Sequence, residues 1–220
     1  ARAADALWVY AEADGFSSPV NVMAAGDWYL EVDQAADAER VFARALETMQ
    51  RGENDPSRLE RARIGLATAL DAQRDFGRSR TLWKELQAAN PSNVKIRRGA
   101  ALCFGGWLDV AEDGTVTEVG GSGDYEDALE IWAGLVKGTG VKSKYTRLWW
   151  EAKLGSIYGY YRLRELKPEA GRQARVLIDN QKLSQPNFDA DTIDQLDEEQ
   201  KYSPLFRDAF RYLDRQIPTS

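Results

Sequence analysis

The chain has 220 residues, a hydrophobic fraction of 43%, seven tryptophans and a formal net charge of -6. This apolar content indicates an ordered protein with a sizeable core, and the acidic balance argues against nonspecific binding of nucleic acid or anionic membranes. Because the chain has no histidine and a single cysteine, Cys103, it cannot by itself form a Cys/His zinc site, a Ser-His-Asp triad, a Cys-His dyad or an internal disulfide.

The first predicted elements are an N-terminal helix and a helical hairpin. Apolar residues recur at helical spacing over residues 1–14, and glycine and proline interrupt the pattern over residues 15–19. Asn21 is then predicted to cap the next helix. The first hairpin pairs helices at residues 20–32 and 35–49, with its turn near Asp33.

The second hairpin is predicted over residues 58–89 and turns at residues 74–77. Ser57 is the expected N-cap, with Glu60 three residues later completing a capping box. Pro91 follows the second helix, which it cannot continue because it lacks an N–H group.

The third hairpin carries an insertion. Its helices are predicted at residues 94–104 and 124–137, and Cys103 lies on the apolar side of the first, where we expect a core residue rather than a reactive thiol. Between the helices, Asp113-Gly114 stands among alternating apolar residues. This pattern predicts a short β-hairpin, or an ordered loop, that projects from the helices over residues 107–123.

The fourth hairpin spans residues 146–186 and turns at Lys167-Pro168. Residues 187–199 are acidic with few large apolar side chains, which is typical of a solvated segment. A final amphipathic helix is predicted over residues 203–216, and we expect it to shield the end of the helical stack.

The four hairpins share one spacing of side-chain sizes. A small or apolar pair and a large residue one turn later open each first helix, and a small residue with a large one four positions later follows in each second helix. In chain order these are Ala25-Gly26 with Tyr29, Leu66-Ala67 with Leu70, Ala100-Ala101 with Phe104 and Leu154-Gly155 with Tyr158, then Ala38 with Phe42, Ser79 with Trp83, Ala128 with Trp132 and Ala174 with Ile178. We expect Gly26, Ala67, Ala101 and Gly155 to lie where helices cross closely.

This pattern resembles the tetratricopeptide repeat, in four degenerate units over residues 20–186. The chain departs from the family in its missing first-helix tryptophan and in intervals of 41, 49 and 46 residues between Ala38, Ser79, Ala128 and Ala174, where the family has 34. The resemblance implies an all-α fold: one domain over residues 1–220 in the form of a right-handed α-solenoid. Its repeats would span residues 20–52, 58–92, 94–137 and 146–186, with the insertion at 107–123 and the cap at 203–216.

Such solenoids hold a protein or peptide in a groove, so we expect a non-catalytic scaffold, adaptor or complex subunit without cofactor or nucleic-acid partner. The inward positions of the first helices are Asp27, Glu31, Ile64, Thr68, Asp71, Lys95, Arg98, Trp149, Lys153, Ser156 and Tyr160. Trp149 and Tyr160 are the leading pair, because aromatic anchors dominate interface energetics. The alternative for this pair is burial between the fourth hairpin and the final helix. Of the charged and polar positions, Lys95, Arg98, Lys153 and Ser156 complete the predicted partner site.

An enzyme, or an enzyme-complex subunit, is the second hypothesis. It would need a pocket lined by carboxylates near the insertion. Asp109, Asp113 and Gly114 resemble the start of a calcium-binding loop, but Ala111 and Gly120 stand where oxygen ligands are required, so a polar turn is the better interpretation.

The compartment stays open. No apolar run approaches the ~20 residues that a membrane-spanning helix needs, so we expect no transmembrane segment. The sequence begins at Ala1 without methionine, which suits either a removed targeting peptide or a start inside a longer protein. A removed signal peptide would place the protein in the periplasm or outside the cell, and otherwise the cytoplasm is equally compatible.

Overall fold

The computed structural model describes residues 2–13, 18–51, 55–138, 147–184 and 203–218, and these are mostly helical. The elements within these ranges are α1 (Arg2–Ala13), α2 (Pro19–Glu31), α3 (Ala35–Arg51), α4 (Pro56–Ala72), α5 (Phe76–Ala89), α6 (Val94–Gly105), β1 (Trp107–Val110), β2 (Val116–Val119), α7 (Tyr125–Gly138), α8 (Arg147–Leu163), α9 (Pro168–Ser184) and α10 (Ser203–Gln216). The predicted all-α class is confirmed, and helices that follow one another in sequence pack together. The chain forms two compact units, residues 1–103 and 104–220, whose boundary falls inside α6.

Two helices begin earlier than predicted, because each opens with proline. Proline suits the first helical position, where an N–H group would have no partner in any case. The N-cap of α2 is Ser18 rather than Asn21. The N-cap of α4 is Asp55 rather than Ser57, and the Asp55 carboxylate accepts a hydrogen bond from the backbone N–H of Ser57 at 2.9 Å.

In the first unit, α1 packs on α2, α2 on α3, α3 on α4 and α4 on α5. The turns after α2 and α4 have the same backbone geometry, with Asp33 at φ 59° and Arg74 at φ 62°. The next residue in each turn donates to a carbonyl five positions back: Gln34 to Tyr29 at 2.8 Å and Asp75 to Leu70 at 2.9 Å. The two hairpins thus close with one turn conformation, in which the left-handed residue ends the first helix.

Large aromatic side chains of second helices pack against glycines of first helices in this unit. The ring of Phe42 lies between Gly26 of its own hairpin and Gly65 of the next, and a methyl group at Gly26 would lie 2.7 Å from the ring. Trp83 packs in the same way on Gly99 of α6, where any side chain would overlap the indole. The absent side chains let the helices approach closely.

The second unit repeats this contact, since Trp132 of α7 packs on Gly155 of α8, and a methyl group there would lie 2.5 Å from the indole. Gly26 and Gly155 therefore occupy tight crossings as predicted. Ala67 and Ala101 are fully buried, but the glycines that meet the aromatic rings lie two residues before them, at Gly65 and Gly99.

The insertion is an antiparallel β-hairpin whose register pairs Trp107 with Val119 and Val110 with Val116. Gly106, at φ 76°, turns the chain from α6 into β1 at a point where a side chain would collide with the carbonyl oxygen of Val119. The sequence pattern predicted that the hairpin would project from the helices, but it does not. It packs against α8 and α10 instead.

Glu118 of β2 joins the hairpin to both of these helices. Its carboxylate accepts hydrogen bonds from the hydroxyl groups of Tyr161 at 3.0 Å and Tyr212 at 2.6 Å, and from Arg162 Nη1 at 3.4 Å. Burial, assisted by Glu118, raises the pKa of Tyr161, and the hydrogen bond to Glu118 is the main cause of a raised pKa at Tyr212. Both tyrosines therefore stay neutral donors at physiological pH.

The last helix, α10, forms over residues 203–216 as predicted and packs on α8 and α9. Arg175 of α9, which is 5% exposed, reaches it through Asp214 at 2.8 Å and the carbonyl oxygen of Ile217 at 3.3 Å. A third bond, to Asp179, completes the pairing of this buried guanidinium.

Candidate functional site

The six predicted partner-binding residues lie on two helices. Lys95 and Arg98 belong to α6 in the unit of residues 1–103, and Trp149, Lys153, Ser156 and Tyr160 belong to α8 in the unit of residues 104–220. The six residues predicted to share one groove are therefore divided between the two units.

Trp149, Lys153, Ser156 and Tyr160 form one side of α8, the α8 face, because steps of four, three and four residues return to the same side of a helix. All four are half-buried. The Lys153 ammonium lies 5.2 Å from the centre of the Trp149 ring, and that ring meets Trp150 edge-on at 5.0 Å. The tryptophan and the lysine thus share one patch.

The electrostatics of the α8 face centre on Lys153. Burial lowers the pKa of its ammonium, and no carboxylate in the described ranges pairs with it. The Ser156 hydroxyl donates to the carbonyl oxygen of Ala152 at 2.8 Å, so its donor is engaged within the helix and its oxygen can only accept from a partner. The α8 face therefore presents aromatic surface beside the positive charge of Lys153, which is partly shielded from water.

The alternative expectation for Trp149 and Tyr160, burial against the final helix, holds in part. Both side chains pack on a core that includes Trp150 and Phe210, and both keep part of their surface exposed. Each contributes to stability as well as to the surface, and any test by substitution has to separate the two.

Lys95 and Arg98 occupy one side of α6, where Lys95 is exposed and Arg98 half-buried. The carboxamide of Asn93 caps the helix by accepting from the backbone N–H of Lys95 at 3.0 Å. A cation in the first turn of a helix opposes the helix dipole. The charge of Lys95 therefore does not stabilise α6 through the helix dipole.

Two residues predicted for the groove face inward instead. Ile64 is 5% exposed, and the Asp71 carboxylate accepts a hydrogen bond from Trp83 Nε1 at 2.7 Å. Burial raises the pKa of Asp71, although hydrogen bonds oppose the shift. Cys103 is fully buried, with its sulfur 3.1 Å from the Ser79 hydroxyl oxygen, so it is a core residue as expected.

Asp27, Glu31 and Thr68 do lie at the surface of the first unit. Asp27 joins α2 to α4 through an ion pair with Arg61 at 2.6 Å, and the Thr68 hydroxyl donates to its own helix at Ile64. Glu31 is exposed.

The structure shows one feature of this surface that the sequence analysis missed. Val20 and Trp28, on the same helix as Asp27, are 45% and 44% exposed. With Ala24 they form a row at four-residue steps that lies apart from the buried side of α2. This spacing is visible in the sequence, but the core pattern around Tyr29 occupied the same segment and hid it.

For the enzyme hypothesis, a pocket of about 370 Å³ lies near the insertion, between the tip of the β-hairpin and α10. It is lined by Gly114, Asp208, Arg211, Asp214 and Arg215. Burial alone would raise the pKa of Asp214, but hydrogen bonds from Lys182 and Arg175 together hold it below its usual range. Asp208 lies 3.9 Å from the Arg211 guanidinium. A carboxylate whose pKa is lowered in this way, as that of Asp214 is, stays charged and is a poor proton donor at neutral pH.

The residues that resemble the start of a calcium-binding loop form the turn of the β-hairpin, in agreement with the polar turn preferred from the sequence. The Asp113 carboxylate accepts a hydrogen bond from the backbone N–H of Thr115 at 2.9 Å, and this bond lowers its pKa. Within the described ranges, no three His, Cys, Asp or Glu side chains are grouped in a way that would hold a metal ion. None of the helices that the structure describes is both long and apolar enough to cross a membrane.

Comparison of the chain with protein-family models, with curated proteins and with solved structures found no match.

Proposed function

We propose that this protein is a non-catalytic interaction module, a right-handed α-solenoid of tetratricopeptide-like hairpins that binds a partner protein or peptide. The observation that carries the proposal is the recurring contact between a second-helix aromatic ring and a first-helix glycine, at Phe42 with Gly65, Trp83 with Gly99 and Trp132 with Gly155. One contact repeated along a chain is what a stack of equivalent hairpins requires.

The surfaces of the first helices support a binding role. A stack of hairpins places its first helices side by side, and their outward positions form an extended surface that suits peptides and helices. On α8 this position holds Trp149, Lys153 and Tyr160, which combine aromatic area with charge. Tryptophan and tyrosine are enriched among the residues that dominate binding energy, because they bury a large rigid surface on contact.

The inserted β-hairpin adds a second surface. Its attachment through Glu118 holds it in a defined position, while Asp109, Glu112, Thr115 and Thr117 remain exposed. A rigidly held hairpin loses little conformational entropy when a partner binds to it.

The test is affinity capture from the native source with the full chain and with a double variant, Trp149→Ala with Tyr160→Ala. Each truncation removes aromatic contact area, so we expect capture of the specific partner to fall at least tenfold, about 1.4 kcal/mol or more in binding free energy. Mass spectrometry with isotope-labelled quantification measures the ratio.

Leu166→Ala provides the control, since Leu166 is a large exposed apolar side chain in the turn after α8. Circular dichroism should show the same helicity in all three proteins. Capture that is unchanged in the double variant, with helicity intact, would contradict binding through the α8 face.

The enzyme alternative has the pocket beside the hairpin tip in its favour. Among the described residues that line this pocket, Asp214 is bonded to two cations and Asp208 lies beside Arg211, so both carboxylates already serve as ion-pair partners. We therefore prefer the interaction module.

A further inference from the structure

The α2 ridge, defined as Val20, Ala24 and Trp28, is an apolar row that the core does not use. Val20 and Trp28 expose nearly half of their surface, although both are large hydrophobic residues. The core takes the opposite side of the same helix through Val22, Met23, Ala25, Gly26 and Tyr29, all of them buried. The ridge therefore lies outside the buried cluster that joins α2 to its neighbours, and it keeps a large part of its apolar surface open.

The geometry of the ridge suits a helix as the occupant. Side chains four residues apart form the rows that interlock when two helices pack, at an interaxial distance of roughly 8–10 Å. From Val20 to Trp28 the row is about 12 Å long, and Val32, which follows the end of α2 and is also exposed, extends it to about 18 Å. That length corresponds to three turns of a partner helix.

The charges beside the ridge indicate what charge a partner should carry. Asp27 and Glu31 fall on one border of the ridge, at positions seven and eleven residues after Val20. The charge of Asp27 is shared with Arg61 of α4. Glu31 is exposed and forms no ion pair with any residue of the described ranges. Cationic side chains of a partner would be attracted to Asp27 and Glu31 at this border, and this attraction would fix the position of the partner along the ridge.

We infer that the α2 ridge docks one amphipathic helix of a partner protein, whose apolar stripe covers Val20 and Trp28 and whose lysine or arginine residues face Asp27 and Glu31. The inference rests on the proposed binding function and names the partner chemistry for one of its surfaces. A second copy of the chain is a poorer occupant. The ridge and its border, Val20, Ala24, Trp28, Asp27 and Glu31, carry no cation, so the ridge of a second copy would bring no partner charge to Glu31.

The experiment uses the full chain and two labelled helical peptides of 18 residues. Both carry leucine in a four-residue stripe, one with lysine along a single border and the other with glutamate at the same positions. Fluorescence anisotropy measures each Kd. We expect the lysine peptide to bind at least tenfold more tightly than the glutamate peptide, and Trp28→Ala to weaken its binding at least fivefold.

Charge reversal provides the sharper measurement. Glu31→Lys should weaken the lysine peptide at least fivefold and strengthen the glutamate peptide. Glu85→Lys, on the exposed side of α5, makes the same change in net charge away from the ridge and should alter either Kd by less than twofold. This control separates docking from the general attraction of a cationic peptide to an acidic protein.

Equal effects of Glu31→Lys and Glu85→Lys would overturn the inference, as would equal binding of the two peptides or wild-type affinity in Trp28→Ala. Self-association that Trp28→Ala abolishes, measured by sedimentation, would overturn it in favour of a second copy. The substituted side chains are exposed, and a Val20→Ala variant replaces Trp28→Ala if the latter loses helicity. Should the peptides fail to bind while partner capture still depends on Trp149 and Tyr160, the ridge assignment fails and the proposed function stands.

Discussion

Asp71 lies against the indole N–H of Trp83, in a place where ionisation of its carboxyl group is unfavourable. Burial raises its pKa in the folded protein above the unfolded value, despite the opposing hydrogen bonds. The folded state therefore holds this proton more tightly than the unfolded state does. The protonated Asp71 carboxyl makes its full contribution to stability below the unfolded pKa of about 3.9. This contribution is lost as the pH rises through the folded pKa.

We accordingly expect Asp71→Asn to raise the free energy of unfolding at pH 7, since the amide oxygen still accepts from Trp83 and carries no charge. The advantage over the wild type should shrink as the pH falls towards 3.5, where the wild-type carboxyl is protonated. Urea denaturation at several pH values measures the difference. Glu85→Gln, at an exposed position, should show no such trend, and a gain in Asp71→Asn that is equal at both pH values would refute the explanation.

Between elements, the aromatic rings of second helices fit closely against glycines of first helices. Trp132 is 1% exposed, and a methyl group on Gly155 would lie 2.5 Å from its indole, so the two groups would overlap unless the side chain or the helices moved. Overpacking of a filled core costs typically about 1–3 kcal/mol. The contact between Trp132 and Gly155 therefore determines how closely α7 and α8 approach each other.

Gly155→Ala should therefore lower the free energy of unfolding by about 1–3 kcal/mol, although alanine is the better helix former. Gly171→Ala is the matched control. Gly171 also lies in a helix, but a methyl group there would meet Arg164 at an ordinary contact distance of 3.6 Å, so we expect a gain of up to about 1 kcal/mol. Urea unfolding followed by circular dichroism gives both values. A neutral or stabilising Gly155→Ala would mean that α7 and α8 separate easily.

Periodicity was sufficient to place these elements, because helix and hairpin patterns depend on residues close in sequence. The helix starts at Pro19 and Pro56 were missed because Asn21 and Ser57 also suit an N-cap, and the choice between caps depends on how the preceding chain approaches. The β-hairpin was predicted from Asp113-Gly114, but its contact with α10 depends on a tyrosine 94 residues away from Glu118. No local pattern carries that information.

For the candidate residues, only the position on their helix was predictable, and their role in binding stays a prediction. Spacing alone placed Trp149, Lys153, Ser156 and Tyr160 on one side of α8. Ile64 and Asp71 were assigned to the surface wrongly, because the orientation of α4 is set by what packs on it. Whether an apolar side chain such as Trp28 is covered or exposed is likewise decided by tertiary neighbours rather than by its own helix.

At the scale of the molecule, the boundary between the two compact units falls within α6, which is one uninterrupted helix over Val94–Gly105. Two parts of a chain that share one uninterrupted helix are expected to lose structure together, because unfolding of either part removes contacts from that helix. Loss of either unit would leave part of α6 without its packing partners. We expect the chain to unfold in a single cooperative transition, so that Gly155→Ala, a change in the second unit, lowers the urea midpoint of both.

Each unit holds its own spectroscopic probe for that measurement, since Trp83 and Trp132 are almost wholly buried in equivalent places. Incorporation of 5-fluorotryptophan would give seven ¹⁹F resonances, of which these two should lie far from the solvent-exposed signals because of ring-current and packing effects. Two different midpoints for Trp83 and Trp132 would show that the units unfold independently. The side chains that hold neighbouring helices together thus also make the cooperativity of the chain observable by magnetic resonance.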